Sequence, residues 1–491
     1  MLNKSIWEHI ENNNKILKKK TLPNSTDILI IGAGMTGITT SYLLKNTNFN
    51  ITVIDKSKIG MGVSSSSTAK ISYLQKTIYQ DLEKTFSRRV SKLYLDSQLE
   101  AIKIIRDIIE KEKIDCNLER VDSVLFTTEE KNITKLYKEK EILESFDISC
   151  EEIDKLPITF PICKGFKVTE TYQMNPIKYI KNLAKTLEDR ILILEDTQAF
   201  NIEYKDDCYI TETNKGSITS KYVIVCCHYP FFTLPGFIPL KNHIEREYVN
   251  ASKYPNPKHF TAINIDSNLH SIRFFNDYLI YGSTNSRLTN KTNYQKEYQK
   301  SKEEFKKYFH LDPEYTWMNQ DLITFDKLPL IGNPDSNQKH LIIATGYNAW
   351  GMTNSIIASK IISDLLLEKD DPYSSLFSPK RKNISLFGNS LLNTIFYGKV
   401  YLQTYFNKNP SFYPDSVYVI KTHDKNYGVY IDKNNKKHIV NITCPHLKCK
   451  LIFNNEEKTW DCPCHGSRFS IDGDVIEGPA TYSIKPKKKS S

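Results

Sequence analysis

The sequence predicts an α/β domain built on a parallel sheet, interleaved with an antiparallel β domain and followed by a small all-β domain. Three observations carry this. The apolar run Asp27-Ile-Leu-Ile-Ile leads into Gly32-Ala-Gly34-Met-Thr-Gly37, the strand, glycine turn and helix start of a βαβ unit. Short alternating runs between positions 229 and 340 suit antiparallel strands. Near the C-terminal end, Cys444, His446, Cys462 and His465 fall in two short loops of a segment rich in β-formers.

Residues 1–26 are polar and Lys/Asn-rich, unlike a secretory signal, and are read as a segment outside the fold. The glycine motif follows. Gly32 makes the tight turn, Gly34 lets a pyrophosphate approach the helix N-terminus, and Gly37 permits close helix-strand packing. A helix-compatible stretch runs to Leu44, and a second strand, Ile51-Thr-Val-Ile-Asp55, ends on an acid eighteen residues past Gly37, placed to bond a ribose hydroxyl. This is a Rossmann-like dinucleotide site that leaves FAD and NAD both open.

The nucleotide domain is expected to be discontinuous, over about 27–115, 176–228 and 341–370. In its last piece, Leu341-Ile-Ile-Ala-Thr-Gly346-Tyr-Asn-Ala-Trp-Gly351-Met352 again reads as strand, turn and helix, with Ile356, Ile357, Ile361, Leu365 and Leu366 at helical spacing. The substrate part is assigned to about 116–175 and 229–340, with β-rich stretches at His243–Val249, His259–Ile265 and Ser271–Tyr281. Residues 371–414 read as a linker containing one helix at Ser390–Phe406, residues 415–484 as a small β-sandwich, and 485–491 as a basic tail. No internal repeat is evident.

In the C-terminal domain the ligand types are C-x-H and C-x-x-H, with fifteen residues between His446 and Cys462. Two thiolates and two imidazoles on paired loops are what a Rieske [2Fe-2S] cluster needs, with Cys444 and Cys462 on one iron and His446 and His465 on the other. The same donors suit Zn²⁺, but zinc ribbons and fingers space paired ligands more widely.

The resemblance extends over Trp460-Asp-Cys-Pro-Cys-His-Gly-Ser-Arg-Phe469 and Gly478-Pro479-Ala480, which looks like the proline loop of Rieske domains. It implies a disulfide between Cys449 and Cys464, with two free buried thiols as the alternative, and therefore Cys462 as the ligand in its loop. It also places Ser467 as a hydroxyl donor to a cluster sulfur and Phe469 where high-potential relatives carry tyrosine. Fewer donors to the sulfurs lower the potential.

From about Asp27 to Ile484 the chain resembles bacterial FAD-dependent oxidoreductases of the D-amino-acid-oxidase-like group that carry a C-terminal Rieske domain. The segments that carry this are Ser66-Ser-Thr-Ala-Lys70, Pro176-Ile-Lys-Tyr-Ile, His228-Tyr-Pro-Phe, Gln320-Asp321 and Trp350-Gly-Met-Thr-Asn. The resemblance implies FAD, a helix N-terminus at Gly351 and Met352 facing the flavin, and Lys70 near the flavin or its phosphates. Gly62-Val-Ser-Ser-Ser-Ser departs from the pattern, which has more glycine there.

A net charge of +10 would suit a polyanion partner, but the lysines are spread along the chain and no nucleic-acid motif appears. No run approaches the ~20 apolar residues of a membrane span, so a cytoplasmic location is expected. Cys116, Cys150, Cys163, Cys208, Cys226 and Cys227 show no metal-ligand spacing and read as structural thiols.

Together these features predict oxidation or reduction of a small amine, amino acid or hydroxy acid, with electrons relayed singly through the cluster to an external carrier. Candidate catalytic residues are His228, Tyr229, Arg246, Tyr248 and Gln320. Arg246 is the candidate clamp for a substrate carboxylate, with a surface ion pair to Glu245 as the alternative. A pure electron-transfer module and a redox-responsive binding protein are the other readings. The linker predicts a cluster domain free to swing, and a chain cut after about Asp370 that keeps its flavin.

Overall fold

A computed structural model of the chain describes residues 5–10, 21–231, 238–289, 292–381, 392, 394–403, 417–422 and 426–486. The first sheet orders its strands Leu330–Gly332, Leu341–Thr345, Gly216–Val225, Ser25–Ile31, Ile51–Ile54 and Leu192–Leu194. Along this path all neighbours are parallel except the first pair, and Ala199–Lys205 and Cys208–Thr213 add an antiparallel pair beside Gly216–Val225. The central strands are buried on both faces, with Ile28, Leu29, Ile30, Val53, Val223 and Ile343 sealed from solvent. Each such side chain contributes about 1.5–3 kcal/mol through removal from water.

Two helices that begin at this sheet's glycine turns, Met35–Leu44 and Gly351–Leu366, pack on each other. Gly37 lets the first of them lie close against its own strand and turn, since a Cβ there would fall 1.9 Å from the Gly32 carbonyl oxygen. Gly32 itself takes φ +115°, which only glycine tolerates without strain. The helix Pro176–Lys185 starts as its sequence indicates, with Asn175 capping the amides of Ile177 and Lys178 and proline at its first position.

The second sheet runs Tyr315–Thr324, Asn242–Lys253, Tyr278–Arg287, His270–Phe275, Phe260–Asn264, Glu119–Thr127, Lys164–Gln173 and Lys70–Ile71. It is antiparallel apart from the pairing of Phe260–Asn264 with Glu119–Thr127. The β-rich stretch Ser271–Tyr281 is a hairpin. Asn276 at φ +52° turns the chain with Asp277 so that Phe275 faces Tyr278. An Asn-Asp pair between apolar runs is the turn signal that the aromatic run obscured.

Along Asn242–Lys253 side chains alternate between faces. Ile244, Arg246 and Tyr248 are buried on one side, while Glu245 and Glu247 point to the other. The neighbouring strand follows the same division, because Arg246 is registered opposite Gln320, Glu245 opposite Asp321 and Glu247 opposite Asn319.

The C-terminal part comprises a three-stranded sheet, Val417–Lys421, Asn426–Ile431 and Lys437–Asn441, and a four-stranded one, Ile452–Asn454, Thr459–Asp461, Arg468–Ser470 and Val475–Glu477. One core joins them, including Val440, Leu451, Trp460 and Phe469. Residues 394–403 are helical. Much of the expected linker, and the basic tail from residue 487, lie outside the described residues.

The N-terminal segment departs from its expected exclusion. Ile6 and Trp7, on the short helix Ile6–Ile10, are fully buried. The Trp7 indole donates to the Ser67 carbonyl at 2.7 Å and meets Phe275 edge to face. Two apolar residues in a polar run have no periodicity to reveal them. No helix among the described residues is long and apolar enough to cross a membrane.

Candidate active site

A cavity of about 720 Å³ follows the edge of the parallel sheet from Asp55 to the start of the helix Gly351–Leu366. Gly32, Gly34, Asp55, Gly346, Gly351 and Met352 all line it. Gly34 brings bare backbone to the cavity, and a Cβ there would sit 3.2 Å from Ser64 Oγ. The departing serine loop is itself part of the wall, through the short helix Val63–Ser66. The Asp55 carboxylate accepts the amides of Ala33 at 2.7 Å and Ser57 at 2.8 Å, so it holds the glycine turn while facing the cavity. Lone pairs remain for a further donor. Size, glycine-lined approach and acid placement fit FAD.

A second cavity of about 320 Å³ shares Asp321, Gly351 and Met352 with the first. Glu245 and Glu247 line it opposite Lys70 and Lys76. Burial pushes Lys70 down to about 8, partly offset by the Glu247 carboxylate. Lys76 is also lowered by burial, against the pull of Glu245 and Glu247. Asp321 is held well above the usual carboxylate range by burial, with Glu247 and Glu245 adding to the effect. It accepts an amide N–H from Asn319 at 2.8 Å.

Lys70 lies beside Gly351 and Met352 in the smaller cavity. Its ammonium donates to Ser271 Oγ on the second sheet, and it lines the smaller cavity instead of the dinucleotide cavity. Arg246 requires a correction. It is 1% exposed and points away from both cavities toward the C-terminal domain, where Nη1 donates to Asp461 Oδ2 at 2.9 Å. Its Nε donates to Gln320 Oε1 at 2.9 Å, and Tyr294 lies beneath the guanidinium. Tyr248, with Tyr298 and Met318, packs on the same side.

Gln320 lines the larger cavity and donates its amide to the Gly466 carbonyl at 3.1 Å, beside His465. His228, at φ +63°, also lines that cavity, with Nε2 3.8 Å from Glu477 Oε1, and burial lowers its pKa. Tyr229 lines it too, but its ring packs with Ile244, Leu322 and Ile452, which makes it a contact between domains.

The C-terminal loops bring their four candidate ligands together. Backbone bonds close each loop, from Cys444 N to Cys449 O at 2.8 Å and from Cys462 N to Ser467 O at 2.7 Å. Cys449 and Cys464 form a disulfide that ties the loops, leaving Cys444 and Cys462 as free buried thiols in mutual contact. Cys462 Sγ lies within 4.8 Å of both disulfide sulfurs.

The His446 and His465 rings stand perpendicular, 5.1 Å apart, and the buried Nδ1 of each has no hydrogen-bond partner. Burial pushes His446 down to about 4 and His465 to about 3, so both present neutral imidazoles. Two orphaned imidazole nitrogens beside two thiols fit a [2Fe-2S] cluster. Ser467 hydrogen-bonds Cys444 and accepts the amide of Ala480 at 3.0 Å, which seats the proline loop.

Residues 27–365 match the FAD dependent oxidoreductase family. The chain belongs to that family. Residues 406–487 match the Rieske [2Fe-2S] domain, so the family's fold here carries an iron-sulfur domain at its C-terminal side. A relative across both parts is the putative Rieske 2Fe-2S iron-sulfur protein YhfW of Bacillus subtilis (strain 168), 29% identical over 480 residues, covering 94% of this chain and 93% of that protein. Gamma-glutamylputrescine oxidoreductase of Escherichia coli (strain K12) is 23% identical, covering 71% of this chain and 86% of its own length. Glycine oxidase from Geobacillus kaustophilus shares the family fold at TM-score 0.62 and 17% identity, over 73% of this chain and all of that one. The chain is an FAD-dependent oxidoreductase fused to a Rieske domain.

Sequence reasoning missed Glu247, Asp321 in its cavity role, and Asp461. The strict alternation of Glu245, Arg246 and Glu247 along one strand held the signal for the first, since it forces the acids and the arginine onto opposite faces.

Proposed function

We propose that this protein oxidises a small amine or amino acid and passes the electrons through the cluster to an external carrier. FAD accepts electrons in pairs, and the cluster carries them singly. The observation that carries the reading is Gln320, whose side chain lines the FAD cavity and hydrogen-bonds the carbonyl next to His465. A cofactor cavity and a cluster loop joined by one side chain support electron transfer within the chain.

The smaller cavity supports a substrate of the protein's own. At about 320 Å³ it has the size of a small-metabolite site, which disfavours the pure electron-transfer reading. Glu245 and Glu247 suit an ammonium group, and Lys70 and Lys76 suit a carboxylate. Charges of both signs favour amines and amino acids over hydroxy acids. In this reading the chain's residues orient the substrate, and Lys70, poised near neutrality, holds or releases a proton at Nζ. Cys444, His446, Cys462 and His465 are the proposed cluster ligands.

The test is anaerobic mixing with matched amines, amino acids and hydroxy acids, monitoring flavin and cluster absorption. Bleaching of the flavin, accompanied or followed by the cluster, by a compound bearing an amine is the expected result. Flavin bleaching with an oxidised cluster of higher potential would defeat the relay, and no bleaching by any amine would defeat the substrate assignment.

A further inference from the structure

We propose that the Rieske domain forms part of the FAD site, closing the adenosine end of the cavity with Glu477 as a hydrogen-bond acceptor for FAD. In a dinucleotide fingerprint the acid ending the second strand marks the ribose end. Here that acid is Asp55, and beyond it the cavity wall is completed by Ile476, Glu477 and Thr481 of the Rieske domain.

The two sides are fastened together at that point. The Lys56 ammonium donates to the Ile476 carbonyl, and Gln198 Nε2 donates to the Thr481 carbonyl at 2.8 Å. Just outside the cavity Phe200 and Tyr482 stack, with centroids 5.6 Å apart and planes 8° from parallel.

Glu477 supplies the chemical argument. Its Oε1 is buried and accepts no hydrogen bond, with the His228 imidazole Nε2 3.8 Å away, while Oε2 lies 3.9 Å from Arg468 Nη1. A buried carboxylate oxygen without a donor is costly. The adenosine half of FAD carries suitable donors in its ribose hydroxyls and adenine amino group. A bound FAD therefore relieves this group, and the domain that carries it covers the cofactor. FAD leaves only when the Rieske domain lifts.

The experiment uses full-length, cluster-loaded protein stripped of flavin, with ADP as the probe of the adenosine half, plus FAD release from holoprotein followed by the fluorescence of the freed flavin. Glu477→Ala is expected to weaken ADP binding at least about tenfold, the scale of a lost charged hydrogen bond, and to speed FAD release. Glu477→Gln, which keeps the shape and one acceptor oxygen, should lose less. The EPR signal of the reduced cluster reports that the domain remains folded. Parent-like ADP affinity and FAD release in Glu477→Ala, with that signal intact, would overturn the proposal. Where Glu477→Ala loses the signal, Glu477→Gln decides, since faster FAD release supports the proposal and an unchanged rate refutes it.

Discussion

At the residue scale the most consequential side chain is Arg246. Its guanidinium and the Asp461 carboxylate are 1% and 0% exposed and pair across the domain boundary, with Arg468 Nε a second partner of Asp461 at 3.6 Å. A buried charge left with no partner costs about 3–5 kcal/mol, but Asp461 keeps Arg468 when Arg246 is removed, so the loss is smaller. Arg246→Met should lower stability by less than that amount in denaturant titrations, and adding Asp461→Asn should recover part of it. Sequence reading offered Arg246 as a substrate clamp or a surface ion pair with Glu245, because its chemistry was visible while its partner, 215 residues away, was not. Phe469 was legible as a departure from high-potential relatives, and it lies fully buried in the Rieske core. Phe469→Tyr adds a buried hydroxyl that needs an acceptor, for which a cluster sulfur serves. The cluster potential should rise in an EPR-monitored redox titration. An unchanged or lower potential in a folded variant would place Phe469 away from the sulfurs.

At the element scale the parallel sheet was legible because buried strands and glycine turns leave strong local signals. The strands ending at Ile31, Ile54 and Thr345 stand where the apolar runs indicated. The hairpin at Asn276 and Asp277 was hidden by aromatic residues on both sides. The short N-terminal helix was less legible still, since its contribution comes from two adjacent side chains, Ile6 and Trp7. Trp7 fills space between Phe275 and the Arg273 guanidinium, which lies 4.9 Å over the ring. Trp7→Ala removes that packing and the bond to Ser67, and should cost about 3–5 kcal/mol. Because Ser5 and Glu8 flank Trp7 and line the FAD cavity, the variant should also release flavin faster. Stability loss without any change in flavin release would separate the helix from the site.

At the scale of the whole molecule the tether expected to let the Rieske domain swing gives way to a docked arrangement. Tyr397, on the helix at 394–403, lies 4.9 Å from the His465 ring, and Arg287 of the second sheet sits 4.0 Å over Phe396. With Arg246, Gln320, Lys56 and Gln198 also crossing the boundary, the domains meet along several elements. Sequence spacing gave the linker's length but carried no information about what it packs against. Reduction of the cluster by flavin should therefore be first order, with a rate independent of protein concentration and insensitive to added viscogen. A rate that falls with viscosity would restore the swinging domain. The cut after Asp370, first expected to preserve the flavin, should instead give a protein with reduced FAD content on purification, because it strips one wall from the cavity and uncovers the buried Arg246 face. Full flavin occupancy in the cut chain would show that the wall is dispensable.

The two-faced strand Asn242–Lys253 also limits how this protein can change over evolutionary time. Since successive residues face opposite sides, insertion or deletion of a single residue ahead of Glu245 exchanges the faces of all that follow. The arginine would enter the small cavity and the two glutamates would be pressed against Asp461, replacing an attraction with a repulsion on one side and reversing the cavity's charge on the other. Substitutions here are absorbed one position at a time, but changes in length are not. Variation in loop length among viable descendants should accordingly fall outside this strand, or come in pairs of residues that return each side chain to its own side.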